Sequence, residues 1–479
     1  MQPSLEDRVR AATDLLDALR DDRTPLAQLD PALGKALLKA AARFAQPPPK
    51  DKKALRRARR LREKERKRQE TEALLDQTGI RRLRENPLFQ TPRRQAEARP
   101  EPPPPVGTLD QDRTCYVCQQ PYREVHGFYD HLCRTCGDLN FEKRHQTADL
   151  SGRTVLLTGG RVKIGFQAGI LMLQAGAHLV VTTRFPRDAA RRYAAEPDFA
   201  DWGDRLQIHG LDLRRVMDVE RFCGHLEAHL PRLDHIINNA CQTVRRPPGF
   251  YDHLMAGELA PAQLTDGAAH VLAPPVVEGP ASAAWSQVPL VDDDRLPAEA
   301  LFPTGRLDAD GQQLDLRRVN SWRLRLDEVP TVELVEVQLV NAVAPYLLNG
   351  RLRGLMTRTT NRDKHIVNVS AMEGQFYRTY KSDRHPHTNM AKAALNMMTR
   401  TSAADYVQDG IHMNSVDTGW VTDEDPVGLA DEKREMHRFH PPLDIVDGAA
   451  RIVDPILHGA NTGEHIWGQF LKDYRVIDW

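Results

Sequence analysis

An apolar run, a glycine-bearing turn and a second apolar run follow one another between residues 154 and 176. Residues 154–157, Thr-Val-Leu-Leu, are typical of a buried strand, and residues 166–176 carry apolar side chains at helical spacing. A strand that turns through glycine into a helix directs backbone N–H groups and the positive end of the helix dipole at one point. The intervening residues therefore predict a nucleotide-binding turn, with the candidates Thr158, Gly159, Arg161, Lys163, Ile164 and Gly165.

Strands and helices alternate after this turn. Residues 177–183, 206–210 and 235–237 have the composition of strands, and residues 187–195 and 215–229 have helical spacing. This alternation predicts right-handed βαβ units and an α/β, Rossmann-like, doubly wound parallel sheet. The ligand of such a sheet lies at the carboxyl ends of the strands.

The chain has 479 residues, which is more than one ordinary domain requires. We expect a helical and basic arm at 1–97, a Pro-rich linker at 98–110, a zinc module at 111–147 and the nucleotide domain at 148–479. A long insertion at about 245–325 within the last domain is expected to be a lid, a substrate-recognition element or an oligomer contact.

The arm is the basic part of a chain whose formal net charge is zero. Residues 1–110 contain 25 Lys and Arg against 17 Asp and Glu, so this part carries +8 and the remainder −8. Residues 50–68 alone contain twelve Lys or Arg and three acids. This run predicts contact with an acidic protein or a nucleic acid. The alternative is a solvated charged helix, which is favoured because no aromatic residue is interleaved for base stacking.

Two Cys-x-x-Cys pairs predict a metal site. Cys115 and Cys118 form the first pair, and Cys133 and Cys136 form the second after fourteen intervening residues. Four thiolates in two such pairs close a tetrahedral site around Zn²⁺ and leave no open position, so the zinc would be structural. The segment resembles a zinc-ribbon or treble-clef module. The alternatives are two redox pairs or incidental cysteines.

The N-terminus lacks the basic-then-apolar pattern of a secretory signal, and no uninterrupted apolar run has membrane-spanning length. We therefore expect a cytoplasmic protein without a membrane partner.

Seven short motifs follow one another along residues 148–479. They are the turn at 158–165, Asp212-Leu213, Asn238-Asn239-Ala240, Asn341, Asn368-Val369-Ser370, Lys392, and the segment from Asn414 to Thr422 that contains Gly419. In this order they resemble the short-chain dehydrogenase/reductase family. The resemblance implies a Rossmann fold, a nicotinamide cofactor, an alcohol or carbonyl substrate and a homo-oligomer.

The resemblance also implies roles for the cofactor residues. Asp212 would hold the adenine, Asn238 would close the cofactor site, and Thr422 would reach the nicotinamide amide or the phosphates. The remaining members of this predicted site are Leu213, Asn239, Ala240, Gly419 and Lys392.

Two cations bear on the identity of the cofactor. Arg184 follows the second strand, where an acid would bind the ribose 2′-hydroxyl of NAD, and a cation there accepts a 2′-phosphate instead. We therefore predict NADP, with NAD as the alternative if Arg184 only caps the strand. Lys163 occupies a position that is glycine in the family pattern. It either pairs with a phosphate, together with Arg161, or fills the cleft.

The predicted active site departs from the family. The family reaction uses a Tyr and a Lys four residues apart on one helix, a Ser on the preceding strand and an Asn on another helix. Lys392 and Asn341 are present, but Thr388 stands at the Tyr position. Ala371 stands at the Ser position, and Ser370 lies one residue earlier, where strand alternation directs its side chain to the opposite face unless the backbone adjusts at the strand end. The predicted catalytic set is Asn341, Ser370, Thr388 and Lys392.

The connection from 374 to 388 contains four candidate replacements for the missing phenol, namely Tyr377, Tyr380, His385 and His387. Each is equally well explained as an exposed loop residue. Two functions remain open. One is an NAD(P)-dependent oxidoreductase of unknown substrate. The other is a catalytically silent dinucleotide-binding scaffold or sensor whose zinc module and basic arm recruit a partner.

Overall fold

The computed structural model describes residues 3–86, 88–92, 100–259, 264–277, 279–295, 298–377, 381–437 and 440–479. The chain divides into two compact units, Met1–Ala73 and Leu74–Trp479.

The first unit is helical. It contains α1 (Leu5–Asp21), α2 (Pro31–Ala45) and most of α3 (Pro49–Leu75). The side chains of Ser4 and Asp30 accept backbone hydrogen bonds at the starts of α1 and α2, which satisfies N–H groups that a helix leaves free. Neither α1 nor α2 buries any of its residues, so their helical form rests on caps and local propensity.

The second unit opens with the cysteine-bearing segment. It comprises α4 (Gly79–Leu83), the antiparallel hairpin of β1 (Gly107–Thr114) and β2 (Pro121–Val125), and α5 (Arg134–Arg144). Leu75 and Ile80 are fully buried in its apolar cluster. The structural division at residue 73 therefore precedes the predicted boundary at 97, and β1 begins inside the predicted linker.

The predicted parallel sheet is confirmed. In the described part of the chain eight strands lie in the order β5-β4-β3-β6-β7-β8-β9-β10, and every neighbouring pair is parallel except β9 with β10. The strands are β3 (Thr154–Thr158), β4 (His178–Thr183), β5 (Leu206–Gly210), β6 (His235–Asn238), β7 (Lys364–Ser370), β8 (Ile411–Asp417), β9 (Phe470–Lys472) and β10 (Arg475–Ile477). β3, β6, β7 and β8 are buried along their whole length, as expected when helices cover both faces.

Two apolar clusters lie on opposite faces of this sheet, one containing α6 and α18 and the other containing α9, α14 and α16. The helices of the second unit after α5 are α6 (Lys163–Gln174), α7 (Pro186–Ala194), α8 (Phe199–Trp202), α9 (Val216–His229), α10 (Asp252–Leu259), α11 (Asp266–His270), α12 (Ala298–Leu301), α13 (Thr331–Gln338), α14 (Ala344–Arg351), α15 (Arg353–Met356), α16 (Pro386–Tyr406), α17 (Val427–His437) and α18 (Ile445–Thr462).

The insertion between β6 and α13 consists of short helices and turns. It covers the outer edge of β5, where the Ile208 N–H donates to the Val271 carbonyl at 2.8 Å and the Ala273 N–H donates to the Ile208 carbonyl at 2.9 Å. Its aromatic residues, Phe250 and Phe302, pack with Phe185 at the end of β4. The insertion therefore folds onto the carboxyl end of the sheet.

One stretch, Thr331–Arg351, has the length and apolar composition of a membrane-crossing helix. It contains Asn341, and its Ala344 and Leu348 are fully buried against the sheet, as in the core helices of globular folds.

Candidate functional site

The carboxyl ends of the central strands open into one large cleft with a volume of about 1440 Å³. Most of the predicted cofactor and catalytic residues line it, whereas Thr158, Asn238 and Asn341 do not. The predicted residues that line the cleft are Gly159, Arg161, Lys163, Ile164, Gly165, Arg184, Asp212, Leu213, Asn239, Ala240, Ser370, Thr388, Lys392, Gly419 and Thr422.

The nucleotide turn depends on two of its glycines. Gly159 has φ +71°, and a β-carbon on Gly165 would lie 2.3 Å from both the Gly159 carbonyl oxygen and the Asn239 amide nitrogen. Asn239 in turn donates to the Thr158 and Gly159 carbonyls at 3.0 and 3.1 Å. The turn is therefore fixed from β6 and has no room for side chains at these glycines.

Helix α6 begins at Lys163 and has no side-chain cap in the described chain. The N–H groups of a first helical turn have no partner within the helix, so this end of α6 suits an anion. Thr158 supports the turn from behind, because its hydroxyl accepts from the Ala240 N–H at 3.0 Å. Its role is structural, which explains why it does not line the cleft.

Lys163 combines an unusual backbone with acidic neighbours. Its φ is +55°, in the left-handed region, and its ammonium lies 3.7 Å from the carboxylate of Asp310 in the insertion. Burial disfavours the charged ammonium, but the charges of Glu424 and Asp310 outweigh burial and raise the Lys163 pKa. Burial raises the Asp310 pKa as well, although Lys163 opposes that shift. An acid thus faces the phosphate-binding end of α6.

The two arginines of the predicted site differ in their partners. Arg161 is buried and pairs with Asp188 at 2.7 Å, so its charge is already matched. Arg184 donates to the Tyr251 hydroxyl at 2.7 Å, and its guanidinium carbon lies 4.8 Å from the centre of that ring. Within the described residues no carboxylate lies at ion-pair distance from Arg184, so this cation remains available to an anionic ligand.

Asp212 lines the cleft with its carboxylate already engaged. Arg214 donates to both carboxylate oxygens, at 3.0 and 2.6 Å. Burial alone would raise the Asp212 pKa, but the hydrogen bonds and charge of Arg214 outweigh it and lower the pKa. This leaves backbone groups and Leu213 to contact a ligand at this position.

The role predicted for Asn238 requires correction. Its amide nitrogen donates to the side-chain oxygens of Asn349 and Asn368, both at 2.8 Å, and the residue is almost completely buried. Successive side chains of a strand point to opposite faces, so Asn238 faces the core while Asn239 reaches the turn. Asn238 ties β6 and β7 to α14 and does not close the cleft.

Three predicted catalytic residues, Ser370, Thr388 and Lys392, line the cleft. The Lys392 ammonium donates to the Val369 carbonyl at 2.7 Å. The hydroxyls of Ser370 and Thr388 are buried and have no hydrogen-bond partner within the described chain. Ser370 reaches the cleft beside Ala371, although the strand alternation predicted that it would point away. The cleft is therefore lined by two residues whose hydroxyls have no partner in the described chain and by a lysine whose ammonium binds a backbone carbonyl.

Asn341 lies behind the cleft, in a π-helical turn at Leu339–Val343. Its side-chain oxygen accepts from the Gln242 N–H at 2.7 Å, and its nitrogen donates to the Gln242 carbonyl at 3.1 Å. Gln242 itself lines the cleft. Asn341 thus positions the start of the insertion and contacts no ligand space directly.

None of the described replacement candidates lines the cleft. Tyr377 is 84% exposed, and Tyr380 lies outside the described residues. His385 stacks on the Trp322 ring at 3.8 Å, and its Nδ1 lies 2.9 Å from the Trp322 carbonyl. His387 is buried away from the cleft, and burial, together with His385, lowers its pKa to about 4.

The four cysteines come together at the edge of the same cleft. Their sulfurs all lie within 4.8 Å of one another, and those of Cys118 and Cys133 are 3.7 Å apart. Between the cysteines of the first pair, the Tyr116 hydroxyl accepts from the Trp420 N–H at 2.8 Å and lines the cleft. Tyr116 could not be identified from the sequence, because nothing in its spacing links it to the segment after β8.

Five side-chain contacts anchor the cysteine segment to α18 and to Asp444, the residue that precedes this helix. Arg144 pairs with Asp444 at 2.6 Å and with Asp447 at 3.0 Å, and the Tyr129 hydroxyl donates to Asp447 at 2.6 Å. Arg451 donates to the Asn140 side-chain oxygen at 2.6 Å. The Lys143 ammonium donates to the Asp454 carboxylate at 2.7 Å. The cysteine segment is therefore a fixed wall of the domain that carries the cleft.

Two family descriptions match the chain, short chain dehydrogenase over residues 153–253 and enoyl-(acyl carrier protein) reductase over residues 323–444. Uncharacterized protein R665 of Acanthamoeba polyphaga mimivirus is 28% identical over 382 residues, which are 75% of this chain and 74% of that protein. D-beta-hydroxybutyrate dehydrogenase of Cupriavidus necator is 29% identical over 118 residues, 24% of this chain and 45% of that enzyme. Among solved structures, the Pseudomonas aeruginosa RhlG/NADP active-site complex is similar, with 18% identity and a TM-score of 0.43 over 67% of this chain and 95% of that one.

Proposed function

We infer that this chain is a short-chain dehydrogenase/reductase, an oxidoreductase that uses NADP(H) and acts on an alcohol or carbonyl compound, and its two family matches support this assignment. The observation that carries the inference is that one cleft is lined by the predicted nucleotide turn, by Lys392, and by Ser370 and Thr388, whose buried hydroxyls have no partner in the described chain. A buried hydroxyl without a partner costs free energy unless a ligand or water satisfies it.

The residues around the turn fit a phosphorylated dinucleotide. The uncapped start of α6 and the space kept open by Gly165 suit a pyrophosphate. Arg184, stacked on Tyr251 with no matched acid in the described chain, suits the 2′-phosphate that distinguishes NADP from NAD. The cleft volume of about 1440 Å³ is larger than that of a typical small-molecule pocket, which leaves room for a substrate as well.

When bound, the nicotinamide supplies or accepts the hydride, and the protein must handle one proton at the substrate oxygen. In the reducing direction Ser370 and Thr388 would donate hydrogen bonds to the carbonyl oxygen and stabilise the negative charge that develops there. A threonine hydroxyl is too weak an acid to act alone. We propose that it relays a proton from the Lys392 ammonium to that oxygen through a bridging water, because the two groups do not hydrogen-bond directly, and that solvent restores the proton to Lys392.

Turnover of NADPH with a panel of ketones and aldehydes tests this proposal in the full-length protein. Lys392→Met and Thr388→Val are each expected to lose at least about tenfold in kcat, because each removes part of the proton route, and Thr388→Val is expected to retain NADPH binding. Tyr377→Phe is the matched control and should leave kcat unchanged. NADPH binding combined with turnover that is indifferent to Lys392→Met would contradict the proposal.

A catalytically silent dinucleotide-binding protein is the second candidate. It is favoured by one observation, that Tyr377, His385 and His387, the replacement candidates that the structure describes, do not line the cleft. In that case the exposed basic run of α3 would recruit an acidic protein or a nucleic acid, and the bound dinucleotide would be a structural or sensing ligand. Tight NADP(H) binding without turnover on any tested carbonyl, unchanged by Thr388→Val, is the outcome that this candidate predicts.

We further propose that the cysteine cluster holds a structural Zn²⁺. Tetrahedral zinc with Zn–S bonds of about 2.3 Å places its sulfurs about 3.8 Å apart, and the Cys118 and Cys133 sulfurs are 3.7 Å apart. Zinc content of one per chain at this cluster, lost in Cys133→Ser, is the expected result. A fully folded protein that never takes up zinc at these cysteines would refute the proposal.

A further inference from the structure

Three histidines meet at the amino ends of the strands, on the edge of the sheet opposite the cleft. His365 of β7 stands next to His412 of β8 in the strand register, and His465 follows α18. One ring nitrogen from each of the three lies within 4.8 Å of the other two. The ring centres are 5.2 Å apart for His365 with His412, 5.2 Å for His365 with His465 and 4.6 Å for His412 with His465.

The hydrogen bonds of this cluster leave lone pairs directed inward. The Nδ1 of His412 lies 3.1 Å from the Lys364 carbonyl oxygen. A carbonyl only accepts, so Nδ1 carries the hydrogen and Nε2 holds the lone pair. A ring nitrogen fixed through its partner nitrogen to a backbone carbonyl is the usual arrangement of histidine ligands to metals.

The rings of His365 and His465 contact each other through one nitrogen of each. The Nε2 of His365 lies 3.1 Å from the Nδ1 of His465, and the second nitrogen of His365 is buried without a partner in the described chain. Two nitrogens bound to a tetrahedral Zn²⁺ at about 2.0–2.1 Å would stand about 3.3 Å apart. The observed separation therefore fits two ligands of one ion.

A glycine in α18 provides the space for these rings. A β-carbon on Gly459 would lie 2.4 Å from the Nδ1 of His465 and 2.9 Å from the Nε2 of His365. Any residue larger than glycine at position 459 would therefore clash with both nitrogens. His365 is almost fully buried and His412 nearly so, whereas His465 is only half-buried and gives access from solvent.

We propose that His365, His412 and His465 form a second metal site, selective for Zn²⁺ and related nitrogen-preferring divalent cations. Three imidazoles supply neutral nitrogen ligands, in contrast to the four sulfurs of the cysteine cluster. A fourth position stays open on the solvent side, beside His465. This site is separate from the nucleotide cleft, so it stands whether or not the oxidoreductase proposal holds.

Metal counting on the full-length protein tests this site. After equilibration with Zn²⁺ and removal of loosely held ion, the natural sequence is expected to keep two zinc ions per chain. His465→Ala and Gly459→Val are each expected to keep one. His178→Ala provides the matched control, because His178 is an exposed histidine at the amino end of β4, on the same edge of the sheet, and should keep two.

Cobalt substitution distinguishes the two sites spectroscopically. Loss of His465 should leave the thiolate-to-cobalt absorption of the cysteine cluster intact, and Cys133→Ser should remove that absorption while one Co²⁺ remains on nitrogen ligands. Added Zn²⁺ should also raise the Tm of Cys133→Ser, and that rise should vanish when His465→Ala is combined with it. A zinc count that His465→Ala leaves unchanged, or a Cys133→Ser protein that keeps no metal, would overturn the proposal.

Discussion

The Lys163 ammonium lies 3.7 Å from the Asp310 carboxylate, so the residue that begins α6 is held by an acid from the insertion. This contact therefore connects two features in which the chain differs from the family pattern, namely the lysine in place of glycine and the long insertion. A phosphate at the start of α6 would take over the ammonium that Asp310 now engages. The insertion would therefore compete with a bound dinucleotide for Lys163.

Lys163→Gly is expected to change stability and affinity in opposite directions. The left-handed conformation at φ +55° costs a residue with a β-carbon about 1–2 kcal/mol, a cost that glycine avoids, partly offset by the greater freedom of glycine in the unfolded chain. We expect Tm to rise by about 1–2 °C. NADP(H) should bind about tenfold more weakly, because one phosphate loses its cation, as measured by fluorescence titration. Tighter binding would instead mean that Lys163 obstructs the cleft.

Asp310→Asn is expected to strengthen NADP(H) binding by about threefold to tenfold, because it removes a negative charge that faces the phosphates. The Asp310 pKa is raised by burial, so the natural acid becomes neutral at a higher pH than an ordinary aspartate. Affinity of the natural protein should therefore increase as pH falls toward that raised pKa, and Asp310→Asn should flatten this dependence. Titration across pH checks both effects.

Asp293→Asn is the control for this prediction, since Asp293 is an exposed acid of the same insertion. Equal gains in affinity from Asp293→Asn and Asp310→Asn would show that only the net charge matters and not the contact with Lys163.

Tyr116→Phe tests whether the cysteine segment supports the cleft. The change removes the oxygen that accepts from the Trp420 N–H at 2.8 Å and keeps the ring and the metal ligands. Loss of one hydrogen bond of about 1 kcal/mol should weaken NADP(H) binding about threefold to fivefold. Zinc content should be unchanged. If chelation of the metal weakens binding but Tyr116→Phe does not, the two sites communicate by another route.

Thr388→Tyr should increase turnover on any carbonyl that the protein accepts. A phenol at this position would lie four residues before Lys392 on α16, where the ammonium lowers its pKa and makes it a better proton donor than threonine. We expect at least about a tenfold rise in kcat with KM little changed, measured by NADPH oxidation. A decrease in kcat with an intact fold would indicate that the cleft is shaped around the threonine hydroxyl.

The fold of the second unit follows closely from its sequence. The strands predicted at 177–183, 206–210 and 235–237 appear as β4, β5 and β6 within about one residue, because continuous apolar runs bounded by polar turns specify buried parallel strands. The four cysteines also meet as their spacing predicted. Zinc occupancy remains a prediction, as do the cytoplasmic location and a homo-oligomeric state.

Neither the contacts of the long insertion nor the direction of individual side chains could be predicted from the sequence. The approach of Asp310 to Lys163 joins residues that are far apart in sequence, and no periodicity encodes such a contact. Ser370 was expected to point away from the cleft, but its strand ends at that residue and the alternation stops there. Asn238 was assigned to the cofactor by its motif, whereas its two buried amide partners come from other elements.

Binding of NADPH and NADH to the full-length protein and to Arg184→Gln tests the central claim most directly. Arg184 lines the cleft and donates a hydrogen bond to the Tyr251 hydroxyl. Among the described residues no carboxylate lies at ion-pair distance from its guanidinium. The natural protein should bind NADPH at least about tenfold more tightly than NADH. Arg184→Gln should abolish that preference by weakening NADPH alone, since only NADPH carries the 2′-phosphate. Absence of saturable binding by either dinucleotide, or a preference for NADPH that survives Arg184→Gln, would contradict the account.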